Sequence, residues 1–211
     1  MAPSNRVVDA LLFDLGGVLV EIDFNRAFQA WANAAQIPAS RIAARFSFDG
    51  PYEAHERGEI GASEYFAHLR ASLGVALTDD LLLMGWNQIF VGPVAEIGRL
   101  LQYLAKSFPL YLFSNTNRAH RAFWQSRYAG LLAPFSEIFC SCDMGARKPS
   151  AGAFLEVCRR IGVAPARIAF FDDHAENVLG ARETGLLAYE AHSAADIREA
   201  LRQGPGIACD C

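Results

Sequence analysis

Short apolar runs alternate along most of the chain with longer stretches in which apolar residues recur at helical spacing. The four runs are VVDALLF, FPLYLFS, RIAFFDD and GLLAYE, and helices are predicted between them in RLLQYLAKSF, AFLEVCRRIG and NVLGARETG. Strands that are apolar on both faces are typical of a parallel sheet covered by helices on both sides. The pattern therefore predicts an α/β fold with a doubly wound parallel sheet.

The segment between residues 24 and 90 departs from this alternation. It contains four amphipathic helical patterns with no strand pattern between them: FNRAFQAWANAA, ASRIAARF, ASEYFAHLRASLG and TDDLLLMGWNQIF. Gly92 and Pro93 mark the return to the alternating pattern. We therefore predict an all-helical inserted domain over residues 23–91 and a core domain made of residues 1–22 and 92–211.

Composition and charge limit the classes of function. Apolar residues make up 52% of the chain and charged residues 20%, with a formal net charge of −4, which argues against disorder and against a nucleic-acid-binding surface. Asp9 and Asp14 interrupt the first apolar stretch, so we expect neither a signal peptide nor a membrane span. We expect a cytoplasmic monomer or weak dimer. The five cysteines lack the spacing of a zinc finger and receive no role.

Candidate chemistry lies where the apolar runs end, because parallel α/β sheets bind ligands beyond the carboxyl ends of their strands. Asp14, Ser114, Asp172 and Asp173 occupy these positions. Asp14 is followed by Leu-Gly-Gly, and glycines let the backbone turn and present amides to an anion. An anion beside several carboxylates requires a divalent cation. Asp14, a carbonyl near Gly16 and Asp173 would supply the oxygen ligands that Mg²⁺ prefers.

Two further segments carry candidate phosphate ligands. The Ser114 hydroxyl and the amides that follow it, beginning at Asn115, can donate to phosphate, whereas Asn117 can cap the next helix. Lys148, one of only two lysines, stands in GARKPSAGAF directly before a proline that starts a helix. Taken singly, each residue fits a turn, a cap or a solvated helix start equally well.

Together and in this order, FDLGGVL, FSNTN, RKP and FFDDHAEN resemble the four motifs of the haloacid dehalogenase superfamily of phosphohydrolases. The resemblance implies a Rossmann-like core, and a helical cap in place of the insertion. It also implies that Asp14 attacks phosphorus to form an aspartyl-phosphate, and that Ser114 and Lys148 bind the phosphoryl oxygens. Mg²⁺ would be held by Asp14, the Gly16 carbonyl and Asp173, with support from Asp172.

One position departs from the family pattern. Most phosphatases of the superfamily have a second aspartate two residues after the nucleophile as general acid and base, and here that residue is Gly16. Three interpretations stay open: a phosphatase with another acid or an acidic leaving group, a 2-haloacid dehalogenase, and a non-catalytic phosphate-binding or regulatory protein. The replacement acids considered are His174, Glu21, Asp23 and His55.

Longer sequence segments narrow the range of substrates to expect. DLGGVLVEIDFNRAF, HERGEI, SNTNRAHRAFW and RKP resemble bacterial α-D-glucose-1-phosphate phosphatases, and the general pattern is also similar to the phosphatase domain of mammalian soluble epoxide hydrolase. We therefore predict a small phosphomonoester substrate, preferably a sugar phosphate. In YEAHERGEIGASEYF, Gly58 is predicted to end one helix and Ser63 to cap the next. The turn between them makes His55 and Arg57 candidate substrate contacts, together with Asn117.

Overall fold

The computed structural model describes residues 7–208, and it contains a five-stranded parallel sheet and a separate two-stranded antiparallel ribbon. The seven strands are β1 (Ala10–Phe13), β2 (Val20–Ile22), β3 (Phe90–Pro93), β4 (Leu110–Ser114), β5 (Phe135–Cys140), β6 (Ile168–Asp172) and β7 (Leu187–Glu190). The strand order of the main sheet is β5-β4-β1-β6-β7. The order reverses direction at β1, so a crevice for a ligand opens at the carboxyl end of this central strand.

Register brings the predicted strand ends to one edge of the sheet. Phe13 pairs with Leu112 of β4 on one side and with Phe171 of β6 on the other. The residues that follow these pairs in β1, β4 and β6 therefore leave the sheet at nearly the same level. Asp14 and Asp172 directly follow these pairs, and Ser114 lies one position further along β4.

The sheet is covered on both faces, as the apolar runs predicted. Helices α6 (Ile97–Leu104) and α12 (Ala194–Gln203) share one apolar cluster with Leu11 and Phe13 of β1. Helices α10 (Ala151–Ile161) and α11 (Ala175–Glu183) contribute to the cluster on the other face, which includes Ala10 and Leu12. Alternate residues of β1 thus enter opposite layers, and all four are fully buried.

The sequence pattern missed β5. Its sequence, FSEIFC, is half-exposed at the edge of the sheet, and exposed Ser136 and Glu137 interrupt its apolar residues. An edge strand needs less apolar surface than a central one. Three further helices surround β5: α7 (Arg118–Arg127), α8 (Ala129–Leu132) and α9 (Ser141–Met144).

Between β2 and β3 the chain is helical, apart from loops and a short 3₁₀ turn at Asn87–Ile89. The five α-helices are α1 (Phe24–Ala35), α2 (Ala39–Ala43), α3 (Gly50–Glu56), α4 (Ala62–Leu73) and α5 (Asp79–Trp86). Four helices were predicted, so α3 is the addition. The Asp49 carboxylate caps it by accepting a hydrogen bond from the Tyr52 amide. The predicted Ser63 cap is wrong, because Gly61 precedes the first residue of α4.

The ribbon of β2 and β3 was not predicted either. It joins the two ends of the helical insertion, and the predicted boundary between residues 91 and 92 falls inside β3. The division into core and cap domains stays a prediction. Within residues 7–208, no helix combines the length and the apolar character that crossing a bilayer requires.

The cysteines divide into two groups. Cys140, Cys142 and Cys158 are buried free thiols. Cys209 and Cys211 lie outside the described residues.

Candidate active site

Asp14, Lys148 and Asp172 meet at the carboxyl edge of the sheet. Lys148 Nζ lies 2.8 Å from Asp14 Oδ1 and 2.6 Å from Asp172 Oδ2. Lys148 is 1% exposed, Asp14 7% and Asp172 0%. A buried ammonium requires close carboxylates to offset its loss of hydration. The structure thus brings together three residues that are 24, 134 and 158 positions apart in the sequence.

Asn115 fixes the backbone that carries Lys148. Its Nδ2 donates a hydrogen bond to the Lys148 carbonyl at 3.0 Å, and its Oδ1 accepts one from the Lys148 amide at 2.9 Å. The Asn115 side chain is therefore engaged with the lysine segment, and its backbone amide is the group predicted to bind phosphate. A phosphate contact would have to come from the Asn115 backbone.

Asp172 and Asp173 are adjacent but have different surroundings. Asp172 Oδ2 accepts from Lys148, and its Oδ1 accepts from the His174 amide and from Asn177 Nδ2, each at 2.9 Å. Asp173 lines a cavity, and its buried Oδ1 has no hydrogen-bond partner among residues 7–208. Asp172 is thus committed to positioning Lys148, whereas Asp173 has an oxygen available for a ligand.

Two glycines shape the turn after Asp14. Gly17 has a φ of +75°, and a Cβ there would lie 2.1 Å from Asp173 Oδ2. A side chain at this position would therefore collide with the carboxylate as well as strain the backbone. At Gly16, a Cβ would approach Ile22 Cγ1 to 3.1 Å, which is tight but does not involve a left-handed backbone.

The carboxylates at this edge exceed the positive charge beside them. Burial raises the pKa of Asp14 to about 7; the charge of Lys148 opposes this rise, and the charges of Asp172 and Asp173 add to it. Burial also raises the pKa of Asp173. One oxygen from each of the three aspartates lies within 4.8 Å of the others. Hard oxygen donors, excess negative charge and the unpartnered Asp173 oxygen fit a bound Mg²⁺.

A cavity of about 850 Å³ lies over these residues. We define its floor as Asp14, Ser114, Lys148 and Asp173, which come from the strand ends and the segment before α10. We define its roof as the lining residues between β2 and β3, which are Phe24, Phe48, Tyr52, Glu53, Glu56 and Ile89. Ser114 is buried at the end of β4, where its hydroxyl can reach a ligand on the floor. The cavity is large enough to enclose a small phosphomonoester.

The three predicted substrate contacts do not line this cavity. His55 is buried against Tyr65, with ring centroids 4.5 Å apart, and burial lowers its pKa to about 4. Arg57 pairs with Glu53 and Glu59. Asn117 caps α7 by accepting a hydrogen bond from the His120 amide. These residues are structural in the observed arrangement, because each side chain is used within its own surroundings.

The sequence interpretation passed over other cavity-lining groups. Arg147 Nη1 lies 2.8 Å from Glu53 Oε1, and its Nε lies 3.0 Å from Glu56 Oε2. His120 is buried and stacks on Trp86 with a centroid distance of 4.7 Å. Position in the RKP motif was a signal for Arg147. The signal for Glu56 was its spacing of four residues from Tyr52 on α3, which places both on one helix face.

Of the four replacement acids considered at Gly16, only His174 lines the cavity. Its side chain is 74% exposed, and its Nε2 lies 3.8 Å from Asp173 Oδ2. Glu21 is exposed on β2, Asp23 caps α1, and His55 is buried elsewhere. The proton donor therefore has to be sought among residues that the sequence did not single out.

Comparison with known proteins agrees with this geometry. The family model of haloacid dehalogenase-like hydrolases matches residues 8–185. The chain is 27% identical over 204 residues to D-ribitol-5-phosphate phosphatase of Bacteroides thetaiotaomicron, covering 92% of this chain and 97% of the relative.

Solved structures share the fold. One of them is a haloacid dehalogenase family enzyme from Bacteroides thetaiotaomicron in complex with magnesium and inorganic phosphate. It superposes with a TM-score of 0.75 at 27% identity, and the match covers 89% of this chain and 96% of that one. L-2-haloacid dehalogenase from Xanthobacter autotrophicus gives a TM-score of 0.66 at 19% identity, with coverage of 93% and 83%, and shows likeness of fold alone. The chain belongs to the haloacid dehalogenase-like hydrolases.

Proposed function

We propose that the protein is a Mg²⁺-dependent phosphatase that hydrolyses a small phosphomonoester, with α-D-glucose 1-phosphate as the favoured substrate. The observation that carries the proposal is the Asp14 carboxylate, held 2.8 Å from the buried Lys148 ammonium on the floor of a closed-over cavity. A positioned carboxylate beside a fixed positive charge is the arrangement that nucleophilic phosphoryl transfer requires.

In the proposed reaction, an Asp14 oxygen attacks phosphorus and the ester P–O bond breaks, so that the leaving oxygen takes the bonding pair and a proton and departs as the alcohol. An aspartyl-phosphate remains. Water then attacks phosphorus, the Asp14–phosphate bond breaks, and inorganic phosphate departs. Lys148 and Ser114 would bind the phosphoryl oxygens through these steps. Asp14, Asp173 and the Gly16 carbonyl would hold Mg²⁺, which when bound supplies positive charge against the phosphoryl oxygens.

Two observations support a sugar phosphate. The polar roof residues Glu53 and Glu56, with Arg147, offer partners for hydroxyl groups, while the rings of Phe24 and Phe48 offer a flat apolar surface. Gly16 supplies no acid, and an anomeric oxygen needs less protonation than an ordinary alkoxide. The relative from Bacteroides thetaiotaomicron is named as a phosphatase of a sugar-alcohol phosphate, D-ribitol 5-phosphate.

The two alternatives make different demands on the site. A dehalogenase has no use for a second unpartnered carboxylate, whereas Asp173 Oδ1 fits a metal that accompanies phosphate. A non-catalytic phosphate-binding protein would not need Asp14 beside the anion, because two negative groups repel. Both observations favour the phosphatase.

The test is a hydrolysis screen with glucose 1-phosphate, glucose 6-phosphate and p-nitrophenyl phosphate, each with Mg²⁺ or with chelator. We expect Mg²⁺-dependent turnover, with glucose 1-phosphate preferred over glucose 6-phosphate. Asp14→Asn should fold normally and lose about four orders of magnitude or more in rate. Chloride release from a haloacetate, or tight phosphate binding without turnover by the unmodified protein, would contradict the proposal.

A further inference from the structure

Gly16 leaves the leaving group without a proton donor on the floor, so another group that lines the cavity has to supply the proton. Seven ionisable side chains outside the floor line the described cavity: Tyr52, Glu53, Glu56, His120, Arg147, His174 and Glu176. A suitable donor is an acid that holds its proton near neutral pH, is shielded from solvent, and has an oxygen or nitrogen free to face the substrate.

His120 does not meet these conditions. Burial lowers its pKa to about 3, so the ring is neutral at pH 7. Its Nε2 lies 3.2 Å from the Trp86 carbonyl oxygen, which can only accept a hydrogen bond. Nε2 therefore carries the one ring proton and donates it to that carbonyl. The other ring nitrogen has a lone pair and no proton to give.

The other polar groups fail for simpler reasons. Arg147 does not release its proton in proteins. Both oxygens of Glu53 already accept aligned hydrogen bonds, Oε2 from Arg57 and Oε1 from Arg147, so neither is available to a substrate. His174 and Glu176 are exposed, so neither is shielded from solvent. Only Tyr52 and Glu56 remain.

Tyr52 and Glu56 form one unit in which the carboxyl is the available acid. The Tyr52 hydroxyl donates its hydrogen bond to Glu56 Oε1 at 3.0 Å. Glu56 is 5% exposed, and its Oε2 is buried without a hydrogen-bond partner in the described part of the chain. Arg147 Nε lies 3.0 Å from this oxygen but is equally without an aligned partner. Glu56 lines the cavity, and Oε2, which contacts Arg147 without an aligned hydrogen bond, is the carboxyl oxygen that Tyr52 does not bind.

Electrostatics agree with this geometry. Burial raises the pKa of Glu56, and the charge of Arg147 and the Tyr52 hydrogen bond offset that rise only in part. The charge of Lys148 also lowers the pKa of the Glu56 carboxyl, but burial outweighs it. A carboxyl in a partly apolar, enclosed position is a usual source of general acids.

We propose that Glu56, positioned by Tyr52 and Arg147, is the general acid and base that replaces the carboxylate absent at Gly16. The inference rests on the proposed phosphatase function. As Asp14 attacks phosphorus and the ester P–O bond breaks, the Glu56 proton moves to the leaving oxygen. The resulting carboxylate then takes a proton from the water that attacks the aspartyl-phosphate, and Glu56 regains its proton.

The test compares Glu56→Gln with the unmodified protein on two substrates in Mg²⁺. p-Nitrophenolate leaves without a proton, whereas an alkyl phosphate such as 2-phenylethyl phosphate releases a poor alkoxide. For the alkyl phosphate we expect a loss of about two to four orders of magnitude in kcat/KM. For p-nitrophenyl phosphate, rapid mixing should still show a burst of one equivalent of nitrophenolate, followed by slow turnover because water activation is lost.

Glu53→Gln is the matched control, because Glu53 lies on the same helix and binds the same arginine. It should change the rates of both substrates by the same factor. Gly16→Asp combined with Glu56→Gln should recover part of the alkyl phosphate activity, with Ile22 shifting to admit the new side chain. If Glu56→Gln fails to fold, Glu56→Asp keeps the acid and should slow the alkyl phosphate selectively.

Three outcomes would overturn the inference. The first is an equal loss in kcat/KM on both substrates, and the second is an unchanged kcat/KM on the alkyl phosphate. In either case the unmodified protein still hydrolyses phosphate esters, so the proposed function stands. The third is an unmodified protein that hydrolyses neither ester with Mg²⁺, which overturns the function and the inference together.

Discussion

The floor of the cavity is charged and comes from strand ends and the segment before α10, whereas its roof combines three aromatic rings with two glutamates and comes from the insertion. On the floor, the Lys148 ammonium is held by Asp14 and Asp172, and its backbone by Asn115. In the roof, Phe48 contacts Phe24 and Tyr52 ring to ring, with centroids 5.1 and 5.0 Å apart. Directional bonds therefore set the geometry of the floor, whereas in the roof the packing of rings acts together with the ion pairs of Glu53 and Glu56 with Arg147.

This difference assigns separate tasks to the two surfaces. A small displacement on the floor would misplace the nucleophile, because reacting groups tolerate little error in position. The roof can exchange one apolar side chain for another and alter mainly which leaving group fits. Perturbing each surface in turn tests this division, and the following substitutions run from the largest expected change in stability to the smallest.

The largest effect should come from Asp172→Ala. Removing this carboxylate leaves Lys148 with one partner and deprives the Asn177 amide of its acceptor, so we expect a loss of about 3 to 5 kcal/mol in the free energy of unfolding. Asp173→Ala is the matched control, since Asp173 Oδ1 has no partner within residues 7–208. Urea unfolding at pH 7.5 without Mg²⁺ should show a change of less than about 1 kcal/mol for the control.

The effect of Mg²⁺ on stability should instead depend more on Asp173 than on Asp172. Adding Mg²⁺ should raise the Tm of the unmodified protein, because a ligand that binds the folded state stabilises it. Asp173→Ala should lose this rise. Equal stability losses in both variants, or a retained Mg²⁺ effect in Asp173→Ala, would contradict the distinction between a positioning carboxylate and a metal-binding one.

Lowering the pH should reduce the free energy of unfolding through His120, which packs against Trp86 at one side of the cavity. Burial lowers the pKa of His120 to about 3 in the folded protein, against about 6.5 when unfolded. Because the folded pKa is the lower one, this contribution to stability is present above pH 6.5 and is lost as pH falls toward 3. The loss at pH 4 should be on the order of 2 to 3 kcal/mol.

Urea titrations at several pH values between 7.5 and 4 would measure this loss. His120→Gln retains a donor for the Trp86 carbonyl but does not titrate, so its stability should depend less steeply on pH. His192→Gln is the control, because the His192 side chain is 59% exposed. A pH dependence that is the same in all three proteins would rule out a role for His120.

Gly17→Ala tests how closely the floor is fitted. A non-glycine residue at a φ of +75° costs about 1 to 2 kcal/mol. Gly162 has the same φ of +75° and no atom within 4 Å of an added Cβ, so Gly162→Ala should lose similar stability. Only Gly17→Ala displaces Asp173, and only it should reduce phosphatase activity and the Mg²⁺-induced rise in Tm. Similar activity in both variants would show that the Asp173 contact is unimportant.

The smallest stability effect should come from Phe48→Ala in the roof. The ring is 61% exposed, so its removal should cost less than about 1 kcal/mol. It should still raise KM for glucose 1-phosphate several-fold, because the substrate loses an aromatic surface. Met84→Ala is the control, since Met84 is 56% exposed and does not line the cavity. An unchanged KM in Phe48→Ala would remove Phe48 from the substrate-binding surface.

The floor was predictable from the sequence because each member follows an apolar run or a recognised motif. Parallel strands end at one edge, so Asp14, Ser114 and Asp172 converge without any knowledge of side-chain packing. The strand β5 escaped prediction because its exposed residues break the apolar run. Asn115 and Lys148 were both predicted as phosphate ligands, but nothing in FSNTN shows that the Asn115 side-chain amide hydrogen-bonds to the lysine backbone.

The roof could not be predicted in the same way. Consecutive residues on a helix point about 100° apart, so choosing His55 rather than Glu56 from HERGEI selects a different face of α3. Which face meets the core depends on contacts that are distant in sequence. The ion pairs of Arg147 with Glu53 and Glu56 span about ninety residues and leave no local pattern.

Arg147 and Lys148 are neighbours in the chain, yet one binds the roof and the other belongs to the floor. A swing of α3 away from the sheet would have to separate Arg147 from both glutamates, while the Asn115 amide keeps the lysine in place. In such a swing, the peptide unit between Arg147 and Lys148 would be the anchor point. Dissolved salt screens the ion pairs of Arg147 with the two glutamates. Product release should therefore be faster at higher ionic strength whenever such a swing limits turnover.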